Sequence, residues 1–176
     1  MVNTDPGYLA TVKTARDQGQ QDAGQPVGTG PNDIVDQPPA PPPGKVNSDA
    51  AIESLKNIQR ESSSVNLANV DWRLLVAVNN LGKSIGKIIT ITSGFRTFQQ
   101  QVDAWNNQNH NPLLAANPYT TTSNHQKGEA VDCTIGGQAI GQVVPQATME
   151  KYGIHCSVYI QYGTDPVHVT LLGVWH

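Results

Sequence analysis

The stretch Ser123-Asn124-His125-Gln126-Lys127-Gly128-Glu129-Ala130-Val131-Asp132 carries an imidazole and a carboxylate seven residues apart, with a glycine between them. A second imidazole, His168, arrives from near the C-terminus. Two neutral imidazoles and one carboxylate make the ligand set of a catalytic zinc site, which keeps a fourth position for water. His125, Asp132 and His168 are therefore the expected metal ligands, with one Zn2+ per chain. Asp165 stands three residues before His168, behind the turn signal Asp165-Pro166. A bend there brings a second carboxylate toward the ion, where a hydrolase needs a general base. Arg96 follows Ser93-Gly94-Phe95 at the exit of a predicted strand. There it can bind a substrate carboxylate or stabilise an oxyanion. Ser123 completes the candidate set as a hydrogen-bonding group for a ligand or substrate.

These residues need a scaffold, and the hydrophobic pattern outlines one. Ser48 is a plausible N-cap for a helix carrying Ile52, Leu55 and Ile58 on one side, interrupted by Ser62-Ser63-Ser64. From Asp71 to Ile85, Leu74, Val78, Leu81 and Ile85 recur at helical spacing and mark a buried stripe that ends at Gly86. Residues 87–92 read as a β-branched strand. Phe98, Val102 and Trp105 mark one face of a short helix, and an Asn-rich, Pro-punctuated loop runs from Asn106 to about Thr122. His125 is placed at the end of that loop, just before a strand over 129–135 that Gly136-Gly137 closes. Residues 138–151 are expected to be partly helical, with a break or fresh start at Pro145. Two closing strands, 155–162 and 167–172, flank Gly163-Thr164-Asp165-Pro166 as an antiparallel hairpin. Helices first and strands later give an α+β fold, an antiparallel sheet with helices packed on one side.

With 176 residues the chain supports one domain with a substantial core. Residues 1–47, rich in Pro, Gly and Gln, cannot bury enough apolar surface to order themselves, which puts the folded domain at 48–176. The arm ends in a polyproline-type run, 38–43, and reads either as an inert linker or as a docking arm with Tyr8, Leu9, Ile34 and Val35 as handles. A net charge of −3 and a pI near 5.9 leave no basic footprint for nucleic acid. No apolar run reaches the roughly 18–20 residues of a membrane span, and the first residues do not read as a signal peptide. The protein is thus expected to be made in the cytoplasm. Cys133 and Cys156 have no zinc-finger spacing and read as buried thiols in a reducing compartment.

Taken together, the motifs Ser93-Gly94-Phe95-Arg96, Ser123-Asn124-His125, Gly128-Glu129-Ala130-Val131-Asp132 and Asp165-Pro166-Val167-His168-Val169 resemble the zinc D-alanyl-D-alanine carboxypeptidases of the vancomycin-resistance type. The wider group includes phage L-alanyl-D-glutamate endolysins and the hedgehog signalling domain. The resemblance spans residues 70–172 and implies a hedgehog-like fold, zinc on His125, Asp132 and His168, Asp165 as base, and Arg96 as a substrate or transition-state contact. The implied substrate is a peptidoglycan stem peptide. Many such carboxypeptidases place a glutamate ahead of a His-x-His pair, whereas here Asp165 leads and Thr170 stands at the last position, which is closer to the endolysin pattern. Carboxypeptidase and endopeptidase both stay open. A phage endolysin or virion-associated lysin, with residues 1–47 attaching to a tail or other virion protein, fits the arm. Such a protein would be virion-associated or released at lysis. A catalytically silent zinc-stabilised module is the alternative, and a cytosolic D,D-dipeptidase would not need the arm.

Overall fold

The computed structural model describes residues 46–174. The expected arm, 1–47, lies outside them except for Val46 and Asn47. Asn47 already belongs to the folded unit: it is buried, and its amide donates to the Leu67 and Val70 carbonyls at 3.0 and 2.7 Å.

Helix α1 (Asp49–Ser54) starts where Ser48 accepts a hydrogen bond from the Ala51 N–H. It ends earlier than its apolar spacing suggests. Leu55 turns the chain into extended geometry, and Ile58 is buried from strand β1 (Ile58–Arg60) rather than from the helix. Helix α2 (Trp72–Ile85) is capped by the Asp71 carboxylate, which accepts from the Arg73 N–H at 2.8 Å, and is closed by Gly86 in the left-handed region, φ 64°. Its buried stripe, Leu74, Leu75, Val78 and Leu81, has no exposure. The next strand, β2 (Ile89–Ser93), pairs parallel with β1, so β1, α2 and β2 form a β-α-β unit. Parallel neighbours need such a crossover. This pair departs from the expected all-antiparallel sheet.

Helix α3 (Phe98–Asn107) opens with a full capping box between Thr97 and Gln100. Its buried residues are Gln101 and Val102. Phe98, expected on the core face, is half exposed and meets Tyr119 edge-on at 5.8 Å. A single helical turn, α4 (Asn124–Lys127), leads into β3 (Ala130–Ile135). The hairpin partner β4 (Gln138–Ala139) and short helices α5 (Ile140–Val143) and α6 (Gln146–Glu150) follow. Then come β5 (Ile154–His155), α7 (Ser157–Tyr162) and β6 (His168–Leu171).

Residues 157–162 are thus a helix where the sequence reads as strand. The aromatic and β-branched residues of Ser157-Val158-Tyr159-Ile160-Gln161-Tyr162 favour a strand locally. Gly163 (φ 71°) stops them after six residues with its N–H on the Tyr159 carbonyl, and burial of Ser157 and Val158 outweighs propensity. β5 and β6 do pair antiparallel, but across this helix rather than through a tight turn.

Among the described residues six strands form one sheet in the order β1-β2-β3-β6-β5, with β4 on β3, and all pairs but β1–β2 are antiparallel. α2 packs on this sheet, and its stripe shares one core with Ile89, Ile91, Val131, Cys133, Ile154 and Val169. No described helix is long and apolar enough to cross a membrane. β3 and β6 sit in the middle of the sheet, and their register sets Asp132 opposite His168.

The cap of α2 gives a pH-dependent prediction. Burial opposes the charge on Asp71, but its hydrogen bonds and ion pair with Arg73 hold its carboxyl below the usual range. A depressed carboxylate adds stability above its unfolded pKa, and that stability is lost as pH falls through the folded value. Asp71→Ala is expected to cost about 1 kcal/mol at neutral pH, with the gap to wild type closing below about pH 4 in urea titrations.

Candidate metal centre

Two local devices aim His125. Ser123 caps the turn α4 with its hydroxyl oxygen on the Gln126 N–H at 3.2 Å, while the Gln126 side chain returns a bond to the Ser123 N–H at 3.0 Å. His125 therefore stands on a doubly capped helical turn, not on the loop expected from sequence, because Ser123 and Gln126 have capping-box spacing. Gly128 (φ 75°) ends the turn, and any Cβ there would collide with the Asn69 carbonyl oxygen. That close approach lets the Gly128 carbonyl accept from the Asp71 N–H at 2.8 Å, so the turn is tied to the start of α2.

The His125 ring is also oriented from behind. Its Nδ1 lies 2.8 Å from the Gly94 carbonyl oxygen, which can only accept, so Nδ1 carries the proton and Nε2 faces the cluster. The Arg96 N–H donates to the His125 carbonyl at 3.2 Å, a second tie between the β2 exit and α4.

His125 Nε2 stands 3.2 Å from Asp132 Oδ1 and 3.2 Å from His168 Nδ1, and the last two are 3.4 Å apart. All three residues are buried and form a group with metal-ligating geometry. Donors about 2.0–2.2 Å from a tetrahedral zinc ion lie roughly 3.3–3.6 Å from one another, so this triangle fits one face of such a site. The donor set, two imidazole nitrogens and a carboxylate, suits zinc.

Asp132 is held on its other oxygen. Arg96 Nη2 donates to Oδ2 at 2.7 Å, and Arg96 Nε donates to Ser93 Oγ at 2.9 Å. Burial opposes the charge on Asp132. The His125 ring, by charge and hydrogen bond, the His168 ring and the Arg96 guanidinium together hold its carboxyl well below the usual carboxylate range. Arg96 is thus in contact with the carboxylate of the clustered group, a partner its place in the sequence does not reveal.

Asp165 is brought to the same place by an unusual backbone. Its φ of 54° puts it in the left-handed region that aspartate tolerates better than most residues, and its Oδ2 comes to 4.0 Å from His168 Nδ1. Burial first, then the charge of Asp132, pushes its carboxyl up to about 6, against the pull of His168 and Arg96. All six residues singled out in the sequence, Arg96, Ser123, His125, Asp132, Asp165 and His168, line one cleft of about 160 Å³. Its lining also includes Gln101, Ala104, Gln108, Leu114, Ala115 and Ala116. Two further contributors leave no mark in the sequence: the Gly94 carbonyl, because backbone carries no side-chain signature, and Gln101, hidden in a glutamine run. The thiols of Cys133 and Cys156 are free and buried, and burial pushes both pKa values up, that of Cys156 to about 12. They do not belong to the group of His125, Asp132 and His168.

No protein-family model matches the sequence, and no curated protein matches it. Among solved structures the chain is similar to the LD-carboxypeptidase LdcB, at 20% identity and a TM-score of 0.47 over 64% of this chain. It spans 63% of that protein, less than two thirds of its length. It is also similar to the L-Ala D-Glu endopeptidase ChiX of Serratia marcescens, at 13% identity and a TM-score of 0.47 over 68% of this chain and 94% of that one. The third is the vancomycin-resistance D,D-pentapeptidase VanY from a VanB-type cassette, a mutant in complex with Zn(II), at 18% identity and a TM-score of 0.42 over 65% and 78% of the two chains.

Metal binding is testable without any substrate. Zinc added to metal-free protein is expected to bind at one ion per chain and to raise the melting temperature, with about 4 kcal/mol of added stability at a thousandfold excess over Kd. In differential scanning fluorimetry His125→Ala, Asp132→Ala and His168→Ala should each abolish the shift. A shift that survives all three substitutions would place the ion elsewhere.

Proposed function

We propose that the protein is a zinc-dependent peptidase acting on peptidoglycan stem peptides. One observation carries this reading: the triangle of His125, Asp132 and His168 lines a cleft that Asp165 and Arg96 line as well. When bound, the ion supplies Lewis acidity, polarising a scissile carbonyl and acidifying water.

The side chains then have separable tasks. Asp165 accepts the proton of the attacking water on a carboxylate oxygen and returns it to the leaving amine. A carboxylate placed beside the triangle can make both transfers. Arg96 holds Asp132 through Oδ2, which turns Oδ1 toward the imidazoles. Its remaining guanidinium N–H groups serve a substrate oxygen, by charge-assisted hydrogen bonding. Ser123 supplies a polar contact in the same cleft. The substrate class is supported by the motif resemblance. Whether a terminal D-alanine is released or an internal L-Ala–D-Glu bond is cut is left to the products. As a further part of the proposal, the protein meets the wall as a phage endolysin or virion-associated lysin, with residues 1–47 as its attachment to a tail or other virion protein. Only the Pro-rich composition of those residues supports that extension.

Zinc-loaded protein incubated with purified muropeptides should give one new product by mass spectrometry. Asp165→Asn is expected to lower kcat by about 10²–10⁴-fold while zinc stoichiometry stays at one. Stoichiometric zinc with no cleavage of any muropeptide would instead indicate a zinc-stabilised module without activity.

A further inference from the structure

Gln101 is fully buried, yet it is a long polar residue inside a helix that otherwise exposes most of its surface. Its side-chain amide is used at both ends. Nε2 lies 3.0 Å from the Ala116 carbonyl oxygen, and Oε1 lies 3.0 Å from Ser123 Oγ. A carbonyl oxygen can only accept, so the NH2 end must face Ala116 and the oxygen end must face Ser123. Ser123 has one hydroxyl proton, and it goes to Gln101. One hydroxyl lone pair is taken by the Gln126 N–H. What the Ser123 oxygen has left is a second lone pair and no proton.

We infer that Gln101 is a positioning residue that fixes the polarity of Ser123, making that hydroxyl a hydrogen-bond acceptor for a backbone N–H of the bound peptide rather than a donor to its carboxylate or carbonyl. Ser123 lines the same cleft as Asp165 and the three clustered ligands, so the N–H it reads belongs to a residue near the scissile bond. The same amide ties Ala116, which also lines the cleft, to the cap of the turn that carries His125. The inference rests on the peptidase reading above and specifies what that site recognises.

The test compares the muropeptide that the protein cuts with analogues in which each backbone N–H flanking the scissile bond is replaced in turn by an ester oxygen. For wild type, one replacement should lower kcat/KM about tenfold, the loss of one hydrogen bond with its acceptor left unpaired. For Ser123→Ala that same replacement should cost little. In Gln101→Met the hydroxyl proton is released and can donate to the ester oxygen, so the amide-to-ester ratio should fall toward one. A merely structural Gln101 would lower activity on amide and ester alike and leave the ratio unchanged. Bound zinc and circular dichroism report whether each variant is folded. If Gln101→Met is not, Gln101→Asn, one methylene too short to reach Ser123 Oγ, gives the same comparison. Equal penalties for wild type and Ser123→Ala across all analogues would overturn the inference and leave the peptidase reading intact. If wild type neither cuts nor binds any muropeptide, the peptidase reading falls and this inference falls with it.

Discussion

The arrangement depends on a concentration of electron pairs in a place with little water. His125 Nε2, His168 Nδ1 and Asp132 Oδ1 converge within 3.4 Å of one another, all from buried residues. Acceptor atoms so close repel unless a proton or a metal cation lies among them, and a buried carboxylate is costly without compensating charge. The surrounding structure holds the three in place. The Gly94 carbonyl fixes the proton of His125 on the far side of the ring, and Arg96 occupies the outer oxygen of Asp132. Antiparallel pairing of β3 with β6 sets Asp132 across from His168. Each contact turns a lone pair toward the common centre.

The same contacts explain why distant motifs act together. The β2 exit, Ser93 to Arg96, touches two of the three clustered residues: Gly94 and the Arg96 N–H reach His125 on the α4 turn, while the Arg96 side chain reaches Asp132. Gly94 itself lies so near the Asn66 carbonyl oxygen that a Cβ would collide with it. The tetrad of β2 exit, α4 turn, β3 and β6 is therefore a mutually braced unit, in which moving one ligand strains the rest. Asp165 is the exception in kind. It is held by backbone geometry at the entrance of β6 and not by a network of strong hydrogen bonds, which leaves its carboxyl responsive to its surroundings.

Much of this was legible in the sequence, for physical reasons that differ by element. The stripe of α2 was readable because a helix that packs on a sheet must repeat its apolar residues at helical spacing, and Gly86 marks its end in the way left-handed caps require. The six side chains of the cleft were readable because their chemistry is rare in combination. What failed depended on tertiary context. β1 is three residues long and gains its identity from its parallel neighbour, so nothing local announces it. Residues 157–162 carry strand-forming side chains but are bounded by Gly163 and packed as a helix. The turn of His125 is only four residues long and follows an Asn-rich stretch, so its capping-box pair, Ser123 and Gln126, is its one local signal. The contact of Arg96 with Asp132 and the two-ended role of Gln101 span 36 and 22 residues of sequence and leave no pattern in it.

One ion shared by three donors is what the proposed chemistry requires. Crystals of the zinc-loaded protein, with anomalous diffraction measured on both sides of the zinc absorption edge, address it most directly. A single anomalous peak about 2.0–2.2 Å from His125 Nε2, Asp132 Oδ1 and His168 Nδ1, with the fourth position turned toward the cleft and Asp165, is the expected result. A peak bound by other residues, or a fourth protein ligand closing that position, would contradict it.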